Sequence, residues 1–372
     1  MKFPATFELY VDYLIANQGK VSAVDLSAIV QGERSHDHIT RTIAQPILDQ
    51  KTFWKLVKPV IRQVERDDGC IAVDDFIVEK PHSTPNEVIS TYYSHLHGGY
   101  VQGINILHFL YIAGSESEQS VHVPVAFEIL RKNEAYVDAK SGKPKMRSPK
   151  TKNELMRERL QTLVFHNQVA FRYVLWDTWF SSAENMRFVV QDLQKHFVGA
   201  LKSNRKVALV DQQGQKTVYQ SLSTLDLQPS QVYPVRLESV PFDLFLVKVV
   251  YKNLDGSQGV VFLVTSDEGL DAQQILLCYQ KRWKVEEAHK SVKQNLGIAK
   301  ACLKMDTSQC NHVFAAMCGL FQLEKLKIKL KTNHFALKHR IYMAALQAAW
   351  DKLAQLKGPT VNELNFRNLC AA

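Results

Sequence analysis

The chain has 372 residues, 46% of them hydrophobic, 22% charged and 10% aromatic, an ordinary globular composition. That excludes a disordered, collagen-like or disulfide-scaffold chain and leaves room for more than one domain. The formal net charge is +9, from 46 Lys and Arg against 37 Asp and Glu. No apolar run reaches the eighteen or so residues of a membrane span. The best one, Phe242 to Tyr251, is short and carries Asp243 and Lys248. The opening residues MKFPATFELYVDYL lack the apolar core and cleavage site of a secretory signal, so a cytoplasmic protein with no membrane partner is expected. Six cysteines, none in a C-x-x-C pair, read as reduced and mostly buried thiols rather than zinc ligands.

Residues 1–66 read as helical. Ser22 caps a segment running to Ile29, Gly32 breaks it, and Ser35 caps a second helix that Pro46 ends or bends. Two short helices around a glycine turn are compatible with a helix-turn-helix, with Arg34 and Arg41 as its candidate contacts to a polyanion. From Thr52 to Arg66 apolar side chains recur at helical spacing. After Asp67-Asp68-Gly69 the pattern changes to strands, at 70–78, 100–112 and 121–129. The basic stretch KSGKPKMRSPKTK (140–152) reads as a loop. A helix over 152–165, a strand over 169–176 ending at Asp177, a helix over 183–196 and a strand over 198–202 follow. Residues 205–268 are β-rich, with strands at 233–237 and 244–253 and a hairpin turn at Asp255-Gly256. From Asp271 to about residue 355 the chain reads helical again.

This order predicts an α/β protein with a mixed sheet flanked by helices. The division expected is a helical region 1–66, a core of 67–204 and 269–330 around a β-rich insertion at 205–268, and a helical 331–372. The charge is localised: Cys278 to Arg340 holds thirteen Lys or Arg against four Asp or Glu, and the remainder is about neutral. Such a basic segment points to a polyanion, most commonly nucleic acid.

Three acids sit where phosphoryl chemistry needs them. Asp74 or Asp75 interrupts the first apolar strand, Asp177 ends the fourth, and Glu286 lies on the helix after the β-rich stretch. Buried carboxylates are costly unless paired or bound to metal, and carboxylate oxygens are the donors that Mg2+ prefers. Tyr279, Arg282, Glu286 and Lys293 fall within roughly 60° of arc on one helical wheel, with Lys290 close enough to join them. Glu287 lies clear of that face. One helix face thus carries an acid among cations and a hydroxyl, suited to a phosphodiester.

Tyr279, Arg282, Glu286 and Lys293 reproduce the spacing Y-x2-R-x3-E-x6-K, and Asp177 is followed by Trp179-Phe180-Ser181-Ser182. The sequence therefore resembles the DDE transposases of the insertion-sequence-four type, over about residues 20 to 330. The resemblance implies an RNase H-like core with a β-rich insertion before the catalytic-glutamate helix. It implies a catalytic triad of Asp74, Asp177 and Glu286 holding two Mg2+ or Mn2+ ions. Tyr279, Arg282 and Lys293 would contact DNA phosphates, with Lys290 added to them by the helical wheel alone, and the N-terminal region with Arg41 would contact the terminal inverted repeat. Cut-and-paste transposition by a homodimer in a paired-end complex, acting on transposon ends and target DNA near the nucleoid, is the implied function. At the first acid the chain departs from many relatives, which read Asp, any residue, then Ser or Thr; here Phe76 follows. Alternation does not separate Asp74 from Asp75, and Asp74 is preferred for its place after Ile71-Ala72-Val73. A resolvase-like nuclease would need the acids without this signature, and a domesticated DNA-binding protein would need neither.

Overall fold

The computed structural model describes residues 3–357 except 47, 95, 115–119, 140–141, 212 and 253–254. Four helices come first: α1 (Ala5–Ala16), α2 (Ala23–Ile29), α3 (His36–Ile43) and α4 (Gln50–Val64). Ser22, Ser35 and Asp49 cap the last three by accepting a backbone N–H three residues on. The chain reverses between α2 and α3 at Gln31 and Gly32, both with positive φ, 53° and 80°.

The strands follow as β1 (Cys70–Glu79), β2 (Ser90–Ser94), β3 (Gly99–Ala113), β4 (Val121–Ile129), β5 (Glu134–Val137) and β6 (Pro144–Arg147). A capping box between Thr151 and Glu154 starts α5 (Lys152–Gln161), which runs into a π-helical turn over Thr162–His166. Then come β7 (Tyr173–Trp176), α6 (Ala183–Arg187) with a π-helical turn over Phe188–Asp192, and β8 (His196–Leu201). The β-rich stretch supplies β9 (Lys206–Leu209), β10 (Gln220–Ser221), β11 (Val232–Leu237), β12 (Leu244–Lys252) and β13 (Gln258–Thr265). Four helices close the described chain: α7 (Ala272–Gln280), α8 (Trp283–Asn295), α9 (Asp306–Leu330) and α10 (His334–Lys357).

Eleven strands form one sheet, ordered β10-β9-β11-β12-β13-β8-β7-β1-β3, with β2 and β4 both on β3. Within it, β1, β3 and β4 make an antiparallel meander, and β7 and β8 run parallel to β1 on its other side. The core order β4-β3-β1-β7-β8 is the RNase H-like arrangement. Strand β1 sits at its centre and is buried along most of its length, as Val, Ile and Ala on both faces require. Helix α9 is the spine of one side: nearly every residue from Ser308 to Leu323 is buried, against α1, α4, α8 and β4.

The β-rich stretch extends the core sheet, since β13 pairs with β8 along Phe262↔Leu201 to Thr265↔Val198. One expectation needs correction. The basic stretch 140–152 is not wholly loop, because β6 pairs with β5 as a separate two-stranded ribbon; Lys140 lies outside the described residues. Exposed polar strands of this kind lack the apolar alternation by which a strand is recognised. Cys70, Cys278, Cys310 and Cys318 are buried free thiols and Cys302 an exposed one, while Cys370 is outside the described residues. No described helix is long and apolar enough to cross a membrane.

Candidate active site

Parallel pairing of β1 and β7 matches Ala72 with Leu175. Two residues further along are Asp74, in the middle of β1, and Asp177, just past the end of β7, so the two carboxylates come level with one another where β7 stops and β1 runs on. Burial pushes the Asp74 carboxyl up to about 7; the charges of Asp177 and Asp75 add to the effect, and Arg282 opposes it. Asp177 accepts the Trp179 backbone N–H at 2.9 Å, which fixes the turn after β7. The neighbouring Asp75 is neutralised elsewhere, by Lys152 Nζ at 2.7 Å and Asn105 Nδ2 at 2.8 Å. Of the two acids in β1, Asp74 is the one that faces the other candidate groups.

Tyr279 to Lys293 are not on one continuous helix. α7 ends at Gln280, and the link to α8 is wound by i to i+3 bonds, with Arg282 N donating to Tyr279 O at 2.9 Å and Val285 N to Arg282 O at 3.0 Å. Such a turn has about three residues per turn, so side chains three apart eclipse. Arg282 accordingly stacks over Tyr279, its guanidinium 5.5 Å from that ring and 5.5 Å from the ring of Trp283. From there it reaches Glu286 at 2.9 Å and Asp74 at 3.5 Å. Its Nε is buried without a partner among the described residues. Burial raises the Tyr279 phenol above its ordinary value.

Further along α8 the side chains divide. Lys293 lies 5.6 Å from the Phe76 ring, on the cleft that also contains Asp74 and Asp177, and burial lowers its pKa. Lys290 turns instead towards α10, 5.3 Å from Phe335, and shares a different pocket with Glu287. Both lysines lie on α8, about 60° apart on its wheel, and that separation is enough to send them to different sides of the helix edge, Lys293 to the cleft and Lys290 towards α10. Arg41 is exposed on α3, as is Arg34 before it.

Beneath the acids are two histidines that the sequence did not single out. His108 is paired with Asp74 across β1 and β3, and His289 stacks on Phe76 at 4.2 Å. Among the described residues neither nitrogen of His108 has a partner, nor does Nε2 of His289, and burial lowers both, His108 to about 3. Unpaired buried nitrogens concentrate here, beside the acids, which is where active sites tolerate unsatisfied groups. Asn105, Lys132 and Tyr92 on the cleft were also missed. Each is a lone polar or aromatic side chain in a strand or loop, with no motif around it.

Among the described residues no three His, Cys, Asp or Glu side chains are gathered to hold a metal ion. In kind the donors suit a hard divalent cation: Asp74 and Asp177 are close enough to repel, and a cation relieves that repulsion. Glu286 would complete the set only on releasing Arg282.

An RNase H-like sheet with one carboxylate in its central strand and another just past the end of the parallel strand beside it defines the class. The chain belongs to the DDE superfamily endonuclease family, which matches residues 2–223 and so takes in Asp74 and Asp177 but ends before Glu286. No curated protein is significantly similar. Among solved structures, Kluyveromyces polysporus Argonaute with a guide RNA is similar at 10% identity and a TM-score of 0.25, over 86% of this chain. This chain spans 41% of that one, and so low a score carries no argument.

Proposed function

We propose that the protein is a DNA transposase of the insertion-sequence-four type, cutting phosphodiester bonds at the element's ends and joining the freed 3′-hydroxyl to target DNA. The observation that carries this reading is the proximity of Asp74 on β1 to Asp177 just past the end of the parallel β7, with Arg282 joining Asp74 to Glu286. The Y-x2-R-x3-E-x6-K spacing adds the transposase type to the endonuclease family. Asp74, Asp177 and Glu286 would hold divalent ions, which supply activation of the attacking oxygen and stabilisation of the leaving one. Arg282 would trade its two carboxylates for a backbone phosphate, which frees Glu286 to turn towards Asp74. Lys293, desolvated on the cleft wall, would fix a second phosphate as a point charge. The terminal inverted repeat would be read by the N-terminal helices, and two protomers would act together in a paired-end complex.

The test is strand cleavage of DNA bearing the element's flanking ends, with Mg2+, Mn2+ or EDTA, by the protein and by Glu286→Gln. Metal-dependent nicking that vanishes in the variant is the expected result. Binding without nicking in any metal would leave a domesticated DNA-binding protein. Nicking that persists in Glu286→Gln would remove Glu286 from the site.

A further inference from the structure

Among the described residues the one side-chain partner of Glu286 is Arg282, at 2.9 Å. Once Arg282 leaves, the distance from Glu286 to Asp74 depends on how α8 is seated on the sheet. That seat is built from few side chains. Asp74 and Phe76 are two residues apart on β1 and so share a face, and His108 of β3 lies directly opposite Asp74 on that face. Helix α8 packs on both strands. Its buried His289 lays its ring over Phe76, with centroids 4.2 Å apart and 34° between the planes, and the His108 ring stands 5.4 Å from His289. Lys293, one turn on, lies 5.6 Å from the same Phe76 ring. Just past the end of α8, Lys80, the residue after β1, donates to the carbonyls of Ile298, Ala299 and Ala301 at 3.4, 3.0 and 3.0 Å. The β1 segment thus grips α8 by a ring at its middle and an ammonium beyond its end. The start of the helix, with Arg282 and Glu286, reaches towards Asp74.

The grip at the middle is made by ring faces. Nε2 of His289 and both nitrogens of His108 have no partner among the described residues, so hydrogen bonds at those atoms do not orient either ring. Burial keeps His289 uncharged, and His108, Lys293 and Arg282 act in the same direction. Two flat rings in contact settle at a preferred spacing and tilt, whereas an aliphatic side chain on a ring has no such preference. Glu286 precedes His289 by three residues, so the two lie on neighbouring positions of one helix face. A slip of α8 over Phe76 is therefore carried to the Glu286 carboxylate. Ion-holding groups must stand within about 0.5 Å of their working positions, so even a small slip counts.

We propose that His289 is a positioning residue for the acids: stacked on Phe76, it sets the distance at which Glu286 meets Asp74 and Asp177, and so how tightly the three hold a divalent ion. The proposal rests on the reading of these acids as the ion-holding set and adds the residue that spaces them.

The experiment is Mn2+ binding without DNA, read from the electron paramagnetic resonance signal of free Mn2+. It uses the full chain carrying Arg282→Ala, which frees Glu286 and is expected to bind Mn2+ through the three acids. Adding His289→Ala should weaken that binding at least about tenfold, the usual scale for losing a group that orients metal ligands. His289→Phe, which keeps a flat ring, should restore most of it. His289→Leu, which keeps apolar volume without the ring, should bind as poorly as the Ala variant while melting close to the Phe variant. An affinity that is the same with His, Ala, Leu and Phe at this position, or that follows the melting temperature rather than the ring, overturns the proposal. An Arg282→Ala chain that binds no Mn2+ also overturns it, since there would be no set of acids to space. Nicking plays no part in the measurement, so a failure to cut element ends would sink the transposase reading and leave this one standing.

Discussion

Helix α8 separates two charged clusters that look alike in composition and differ in how well they are satisfied. On the α9–α10 side, Glu324 is buried at 1% exposure and accepts from the His122 backbone N–H at 2.7 Å, Lys327 Nζ at 2.9 Å and His334 Nε2 at 3.1 Å. Burial by itself would raise this carboxyl, yet the bond from His334 and the charge of Lys327 hold it below the usual range. On the sheet side Asp74 is pushed up to about 7, and Arg282 Nε and three histidine nitrogens lack partners among the described residues. A carboxylate that the fold fully pairs is a structural ion; one left short of partners is held ready for a ligand. The difference lies in the hydrogen-bond inventory, since both sites have similar charges.

Substitutions should split along that line. Asp177→Asn should cut metal-dependent nicking by on the order of 10²–10³, measured on gels, with thermal stability kept or raised. An accompanying loss of stability would make Asp177 structural after all. Glu324→Ala should do the reverse, costing about 3–5 kcal/mol in chemical denaturation by stranding Lys327 and His334. Nicking per folded molecule should survive, and a stable but inactive Glu324→Ala would erase the contrast.

A pH titration gives a third effect. The folded Asp74 carboxyl titrates near 7, above its model-compound value of 3.8. Its contribution to stability is therefore complete below the lower value and is lost as pH rises through the upper one. Asp74→Asn should raise the melting temperature at pH 8 and gain progressively less towards pH 4, with each pKa unit worth about 1.4 kcal/mol. A gain that did not vary with pH would place the Asp74 charge outside the burial and repulsion described. The smallest effect belongs to Lys290, which faces Phe335: Lys290→Ala should leave DNA affinity within about twofold, whereas Lys293→Ala should weaken binding and reduce its salt dependence. Equal losses would put both lysines on the DNA face.

The order of strands and helices was legible because the buried strands are continuous apolar runs and the helices carry Ser, Thr or Asp caps. What escaped was exposed or depended on neighbours. β2, β5 and β6 present polar or aromatic side chains to solvent and carry no apolar stripe. Alternation within β1 left Asp74 and Asp75 equivalent, and their partners separate them: Lys152 and Asn105 hold Asp75, while Asp74 faces Arg282 and Asp177. The overwound turn at Lys281-Arg282 also has no sequence signature, since neither residue is Gly or Pro and both keep helical φ and ψ.

The pairing of β8 with β13 has a consequence for how the molecule is assembled. Leu201 and Phe262 face one another across adjacent antiparallel strands, so the chain between them leaves the core and returns to the place it left. In topological terms that excursion is a detour: a tight turn joining β8 to β13 would keep Asp177 and the α7–α8 link in the same relation. The same attachment makes it a lever, because a force on the outer strands passes through the β8–β13 pair, and through the packing of β12 and β13 on α7, to the elements that carry Asp177 and Arg282.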